Sequence, residues 1–515
     1  VSFPLHGATQ GALLEALALE RPDACAAEHP VLGVATTYAA LDAWSRRLAK
    51  GLVALGVAHG DRVAVWATNV PDWIAFQFAI ARIGAVLVTA NPQLTGPEMA
   101  YLLRQSRTET LIAQRGLLAR AGAAIDVPHV VAMEHLGPFV ANGDSVSDTV
   151  LAARCAATRP DDAANIQYTS GTTGFPKGVV LTHKNVVENA YTMARLLDVK
   201  AGERLLLAVP LFHCFGCVIV LLGAFTHAAT VVVFEKFDPA TVLEHWRVDL
   251  VYGVPTMYRA LLDHPTFASR KPRARAGLMA GAPCPAPLMR RVIDELCPGV
   301  VVAYGLTEAS PSCTSARPDD PIDVRCETAG RAIDGVEVRV VDPETDVARA
   351  PNDVGEVQVH GPNVMRGYFD DEAATRAAIT PDRWLRTGDL GTLDASGLLR
   401  ISGRLKEMIK RGGECVYPAE VEDALRAHPA VADAAVVGVP SEYWGEEVAA
   451  AVIRRPGAVV EAAELLAFLE DRLAPFKRPT RVAFVASFPT TASGKVKKFA
   501  LRDACRFDDV SARGT

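Results

Sequence analysis

The chain has 515 residues, 50% of them hydrophobic and 22% charged, a balance that suits a folded globular protein and excludes a disordered one. At about 150 residues per domain, that length corresponds to roughly three structural units. A formal net charge of -6 offers no basic face, which sets aside nucleic acid and anionic lipid as partners.

The opening residues, Val1-Ser-Phe-Pro-Leu-His6, lack the charged, apolar and cleavage regions of a signal peptide and the Arg-rich character of a transit peptide. The ten cysteines are scattered, and only Cys214 and Cys217 fall at metal-ligand spacing, with no second pair to complete a zinc site. The expected location is the reducing cytoplasm. Arg62–Ala67 reads as a strand, Asp72–Arg82 as a helix, and Ala85–Val88 and Thr110–Ala113 as further strands. Next comes Tyr168-Thr-Ser-Gly-Thr-Thr-Gly-Phe-Pro-Lys-Gly178, with four hydroxyls, three glycines and one lysine, opening from the strand Asn165–Tyr168. Glycines let backbone N–H groups approach an anion, hydroxyls donate to phosphate oxygens, and Lys177 neutralises charge. Because Pro176 precedes Lys177 and Gly178 follows it, this is not a Walker A loop.

From Leu205 to Phe234 the chain is almost uncharged and long enough to span a bilayer. Pro210, His213, Gly216 and His227 break it, so strand, loop, helix and strand of a buried core are expected instead. Strands at Leu205–Val209, Thr230–Phe234, Leu250–Tyr252 and Val300–Tyr304 alternate with helices at Ala240–Trp246 and Pro287–Leu296, the pattern of α/β layers with largely parallel sheets. Tyr304-Gly-Leu-Thr-Glu308 follows the last of these strands, and ligand sites of open α/β sheets lie at such carboxyl ends. Glu308 is a hard oxygen ligand suited to Mg²⁺, Thr307 can donate to a phosphate, and Tyr304 offers a face to a base.

From Ala332 to His360 the helical intervals vanish, and Val336–Val341 followed by Gly355–His360 reads as an antiparallel, barrel-like unit. Trp384-Leu-Arg-Thr-Gly-Asp389 places a carboxylate after a turn, suited to accept from two ribose hydroxyls. Beyond Arg400 a small α+β region follows, with helices at Pro418–Arg426 and Ala462–Leu473 and strands at Ala434–Val439 and Val448–Ile453. Pro489-Thr-Thr-Ala-Ser-Gly-Lys495 lies near the C-terminus.

Taken in order, these segments resemble the acyl-adenylate-forming superfamily, which includes acyl-CoA synthetases, peptide-synthetase adenylation domains and luciferases, and the match covers essentially the whole chain. The resemblance implies a large α/β N-terminal domain, 1–405, with a barrel-like subdomain at about 325–400, and a small mobile α+β C-terminal domain, 406–515. It implies an enzyme that uses ATP, Mg²⁺ and coenzyme A to turn a carboxylic acid into acyl-AMP and then acyl-CoA. By resemblance the nucleotide is held by Thr169, Ser170, Gly171, Thr172, Thr173, Gly174, Lys177, the adenine turn Gly281-Ala282-Pro283, Tyr304, Gly305, Thr307, Asp389 and Arg404. Glu308 is the Mg²⁺ ligand and Lys495 the adenylation lysine. A carboxylate attacking a phosphate brings two anions together, so a preorganised cation is the group that step needs.

Pro210-Leu-Phe-His-Cys-Phe-Gly216 resembles the superfamily's acyl-site motif, placing His213 beside the acid's carboxylate, with Phe212, Phe215, Val254 and Met279 as apolar wall. Gly412-Gly413 lines the route of the pantetheine arm, although Cys415 stands where the superfamily commonly has Asn after Gly-Gly-Glu. Lys406 is the expected hinge, and Lys410 the residue that swings toward the active site in the second half-reaction. The fatty and medium-chain acyl-CoA ligases are the most similar branch, on Met279–Pro285, Ala316–Pro321 and Phe212–Gly216. The rival readings are a ligase that loads a carrier-protein thiol and a nucleotide sensor without catalysis. A monomer and a homodimer fit this sequence equally.

Overall fold

The computed structural model describes residues 7–169, 176–282, 284–411, 414–490, 496–505 and 507–509. By contacts the chain divides into two compact units, Val1–Val338 with Val359–Arg386, and Arg339–Gln358 with Thr387–Thr515.

The first unit holds two sheets among its described residues. One has nine strands. Its parallel core runs, in spatial order, Gly299–Gly305, Ala276–Met279, Leu250–Gly253, Arg204–Leu207, Thr230–Val233 and Cys25–His29, with antiparallel strands at both margins. The other has seven strands, with Ala163–Thr169, Val86–Ala90, Arg62–Trp66, Thr110–Ala113 and His129–Ala132 parallel, and Lys177–Thr182 and Gly367–Tyr368 added antiparallel.

Both faces of each sheet are buried, and the period-two alternation sorts the side chains between them. Val63, Val65, Leu205 and Leu207 point into one shared core, together with Phe76, Phe78, Val186 and Val218 from helices between the sheets. Ala64 and Trp66 face a second core under helix Gly96–Gln105. Leu206 and Val232 face a third, closed by helices Pro255–Leu262 and Ala286–Glu295. The apolar stretch from Leu205 breaks as expected into strand, loop, helix and strand. Its helix Phe215–Leu222 is wound as a π-helix with all eight residues buried. No helix among the described residues is long and apolar enough to cross a membrane.

The helix His183–Leu196 joins the two sheets to the loops above them. Thr182 caps it by accepting from Asn185 N–H (3.1 Å), while Asn185 Oδ1 accepts from Thr182 N–H (2.9 Å), a reciprocal capping box. The cap ties the helix start directly to the end of strand Lys177–Thr182.

The second unit contains most of a four-stranded sheet (Glu337–Val341, Gly355–His360, Leu385–Leu393, Leu399–Arg404) and a six-stranded sheet around the long hairpin Val431–Ser441 and Gly445–Arg454. Its own core gathers Ile409, Val421, Leu425, Val436, Val452 and Leu465. The expected domain boundary near Lys406 does not coincide with this division. Strand Leu399–Arg404 and most of Leu385–Leu393 fall in the second unit, although they precede Lys406 in the chain.

Candidate active site

In the nine-stranded sheet the chain passes from strand Arg204–Leu207 to Thr230–Val233 on one side, then crosses to Leu250–Gly253 on the other. Strand order reverses there, and the crevice beyond the carboxyl ends at such a reversal is where open α/β sheets bind ligands. Four neighbouring strands end at that edge. They deliver, in spatial order, Phe212 and His213, then Val254, then Gly281 and Ala282, then Tyr304, Gly305, Thr307 and Glu308. The sequence places these residues up to ninety-six positions apart (212 to 308); strand pairing makes them one row.

The row is built from close contacts. A Cβ on Gly305 would stand 1.8 Å from the Pro311 carbonyl oxygen, so the turn between strands Gly299–Gly305 and Ser312–Ser315 closes only on glycine. Gly305→Ala is therefore expected to destabilise the protein by about 1–3 kcal/mol through forced backbone displacement. In the acid activation that the resemblance implies, displacing Thr307 and Glu308 with it is expected to lower acyl-AMP formation by more than about tenfold. A melting curve and a pyrophosphate-release assay on the same preparation check both effects; an unchanged pair would contradict this account of the turn. Gly281 has φ +86°, and a Cβ there would approach Val254 Cγ1 to 3.3 Å.

Thr307 is 9% exposed, and its hydroxyl lies 3.7 Å from Cys214 Sγ, so the acyl-site motif and the Thr-Glu turn touch. The His213 ring is oriented by the main chain: Phe215 N–H donates to Nδ1 at 3.1 Å. A backbone N–H always donates, so Nδ1 is unprotonated and a neutral ring carries its proton on Nε2. In that tautomer His213 offers a hydrogen-bond donor at Nε2 and has no lone pair there to act as a base. Cys214 Sγ lies 3.6 Å from the same Nδ1.

Buried asparagines lock the loop that carries Glu308. Asn189 accepts from Ser312 N–H (3.1 Å) and donates to Ser312 O (2.9 Å). Asn363 Nδ2 donates to the same carbonyl (2.9 Å), and Ser310 Oγ donates to Asn363 O (2.7 Å). Asn185 Nδ2 donates to Pro362 O (2.6 Å) and Val364 O (3.2 Å), so one helix holds both segments. Met365 N–H donates to Glu308 O (2.8 Å), and the Tyr368 hydroxyl donates to Glu308 Oε1 (2.9 Å).

In the seven-stranded sheet Thr169 and Lys177 face each other as a register pair at the neck of a hairpin. Ser170, Gly171, Thr172, Thr173 and Gly174 lie outside the described residues, as does Pro283. Lys177 Nζ sits 5.0 Å from the centre of the Tyr368 ring. Phe215 is buried in the core between the sheets. Met279, expected on the acyl wall, is 1% exposed and packed in the core under helices Pro255–Leu262 and Ala286–Glu295.

Within the second unit, Asp389 and Arg404 are register partners on adjacent strands, and Arg404 Nε lies 2.9 Å from Asp389 Oδ1. Asp389 is 5% exposed; Thr387 Oγ1 accepts from its N–H at 3.1 Å and donates to Val357 O at 2.6 Å. Lys406 lies in the single 3₁₀ turn Leu405–Glu407. Lys410 is exposed on strand Ile409–Arg411, opposite Cys415, and its N–H donates to Glu446 Oε2 at 2.8 Å. Gly412, Gly413 and Lys495 lie outside the described residues; Thr490 and Val496 form a bridge on either side of the Lys495 segment.

The site residues that sequence reasoning did not single out are Tyr368, Asn189 and Asn363. Tyr368 stands sixty positions from Glu308, and the short Arg366-Gly-Tyr368 segment carries no cluster of reactive side chains to signal it.

The family profile of AMP-binding enzymes matches residues 14–369, and that of the AMP-binding enzyme C-terminal domain matches residues 420–495. The provisionally named acyl-CoA synthetase YngI of Bacillus subtilis is 41% identical, covering 96% of this chain and 96% of its own length. The mitochondrial medium-chain acyl-CoA ligase ACSF2 of Macaca fascicularis is 33% identical over 96% of this chain and 87% of its own. Among solved structures, ATP-bound MatB from Rhodopseudomonas palustris superposes with a TM-score of 0.84 at 31% identity, covering 96% of this chain and 98% of that one. With a strand-end crevice, a glycine-rich hairpin and a full-length match of this kind, the chain belongs to the AMP-binding enzyme family.

Proposed function

We propose that the protein is a cytoplasmic, Mg²⁺-dependent acyl-CoA synthetase that activates an apolar monocarboxylic acid of medium length. The observation that carries this reading is the row of strand ends at the sheet's reversal, where His213, Val254, Gly281, Tyr304, Thr307 and Glu308 stand side by side. In the first half-reaction a carboxylate oxygen of the acid attacks the α-phosphorus of ATP and pyrophosphate leaves. In the second, the thiolate of coenzyme A attacks the acyl carbonyl and AMP leaves.

Each of the chain's own groups has a task in this scheme. Tyr304 offers its ring to the adenine, and Gly281 with Ala282 lets the base approach the backbone. Asp389, held with Arg404, accepts from the ribose hydroxyls. Thr307, Lys177 and the Thr169–Gly174 segment donate to phosphates. His213 donates from Nε2 to the acid's carboxylate, which orients it for attack without removing a proton. Lys495 supplies positive charge where the two anions meet.

Among the described residues no group of three or more His, Cys, Asp or Glu side chains could hold a metal ion. Glu308 is half-buried, with one oxygen engaged by Tyr368. That donor set fits Mg²⁺, which is commonly held by one or two carboxylates together with substrate phosphates. When bound, Mg²⁺ neutralises phosphate charge. The ten unbridged cysteines support a reducing compartment.

The segments at the acyl side, 212–220, 251–257 and 279–283, contain no arginine or lysine to pair a second carboxylate. Burying an uncompensated charge there is costly. A pyrophosphate-release assay over short, medium, aromatic and dicarboxylic acids is expected to favour hexanoate through decanoate. Efficient turnover of malonate with poor turnover of those acids and of aromatic acids would overturn the substrate assignment.

Residues 1–405 form the adenylating domain in this reading and 406–515 a domain that rotates between half-reactions, with Lys406 as hinge. Lys410 and the Gly412-Gly413 strip serve the thiol, and Lys495 serves the phosphates.

A further inference from the structure

We propose that Tyr368 is a positioning residue of the adenylation centre, aiming the Glu308 carboxylate at the metal with its hydroxyl while its ring face holds Lys177 beside the phosphate hairpin. This deepens the reading above and rests on it for the identity of the metal.

Tyr368 is fixed before it touches either partner. Its strand Gly367–Tyr368 adds to the edge strand Lys177–Thr182, with Tyr368 opposite Val179, and Phe369 N–H donates to Gly178 O at 2.7 Å. Its own N–H donates to Thr375 Oγ1 at 2.9 Å. Two further bonds bring Glu308 to the same place: Met365 N–H to Glu308 O at 2.8 Å, and the Tyr368 hydroxyl to Glu308 Oε1 at 2.9 Å. Lys177 Nζ stands 5.0 Å from the ring centre, in the range of a cation–π contact. One side chain thus meets both the phosphate-hairpin lysine and the turn's carboxylate.

The chemistry favours a tyrosine here. An ionised carboxylate only accepts, so in the 2.9 Å bond to Glu308 Oε1 the phenol O–H is the donor. A neutral donor on Oε1 restricts rotation of the carboxyl group and leaves its full negative charge in place. Oε2 then keeps its lone pairs for a hard cation, whereas an arginine or lysine in this position would compete with the metal for the charge. Outer-shell hydrogen bonds of this kind orient metal-binding carboxylates and tune their affinity.

Tyr368→Phe keeps the ring, the packing and the Lys177 contact and removes the hydroxyl alone; Tyr368→Leu removes both. Affinity of the protein–ATP complex for Mn²⁺, read by electron paramagnetic resonance, is expected to fall about tenfold in Tyr368→Phe, the size of change such partners produce. The free Mg²⁺ needed for half-maximal pyrophosphate release rises by the same factor, while the KM for the acid and the melting temperature stay put. Tyr368→Leu shows the metal effect and also a raised KM for ATP. Unchanged Mn²⁺ affinity and Mg²⁺ requirement in Tyr368→Phe, with or without a lower melting temperature, would overturn the proposal and leave Tyr368 a structural residue. Failure of the acyl-CoA synthetase reading is distinguishable, because the parent protein would then release no pyrophosphate with any acid, while the Mn²⁺ titration still reports on Tyr368.

Discussion

Lys495→Ala is expected to slow acyl-AMP formation by about 10²–10³-fold, the usual cost of removing one preorganised charge donor from a site where charge develops. The acid carboxylate and the α-phosphate are both anions, and their approach is the obstacle in the first half-reaction. In the proposed scheme the Thr169–Lys177 segment addresses the polyphosphate side, and the carboxylate needs a cation of its own. In the second half-reaction a thiolate meets a carbonyl and AMP departs, so that cation has no comparable task. Thioester formation from supplied acyl-AMP is therefore expected to be spared. Rapid-quench measurement of each half-reaction separates the two rates. An equal fall in both would contradict the assignment of Lys495 to adenylation alone.

The second large effect is expected at Lys406. In the proposed scheme the C-terminal domain rotates between half-reactions, because Lys495 serves the phosphates in the first and the Gly412-Gly413 strip serves the thiol in the second. Leu405–Glu407 is a single 3₁₀ turn between strands Leu399–Arg404 and Ile409–Arg411, and hinges need only a few such residues to absorb a change in φ and ψ. Proline fixes φ near about -65° and removes the backbone N–H, so Lys406→Pro is expected to trap one orientation. The variant is expected to form acyl-AMP at most of the parent rate. Thioester formation falls by about 10²-fold, the penalty of misplacing a reacting group. Lys410→Ala, exposed on the strand beyond the turn, is expected to harm the second half-reaction selectively. Full thioester activity in Lys406→Pro would remove Lys406 as the pivot.

Much of the fold was legible because burial on both sheet faces leaves a simple trace in sequence. Arg62–Trp66 and Gly355–His360 stand where their alternation or apolar runs predict, and helix Pro418–Arg426 matches at both ends. Helix Ala462–Leu469 stops four residues before the expected Leu473. Glu470 and Asp471 place negative charge at the helix's negative end, and Pro475 cannot continue it. The apolar run after His213 announces a buried helix, but nothing in its composition distinguishes a π-helix from an α-helix.

The site was legible where one short segment holds several reactive groups. Tyr304–Glu308 is of that kind; Asp389 and Arg404 stand fifteen positions apart, and strand pairing brings them together as an ion pair. Asn189, Asn363 and Tyr368 were not, because each acts on a residue far along the chain through one hydrogen bond, and a lone Asn or Tyr in sequence gives no sign of its partner. The row formed by His213, Val254, Gly281 and Glu308 depends on strand order, which comes from the three-dimensional pairing of the sheet.

The central claim is acid activation followed by transfer to coenzyme A, and product analysis tests it most directly. The protein is incubated with α-labelled ATP, Mg²⁺, decanoate and coenzyme A, and in parallel with a phosphopantetheinylated carrier protein in place of coenzyme A. The expected products are AMP and decanoyl-CoA in equal amounts, pyrophosphate but no ADP, and little acylated carrier. Acyl-AMP that accumulates with coenzyme A present while the carrier is loaded, or no acid-dependent AMP at all, would contradict it.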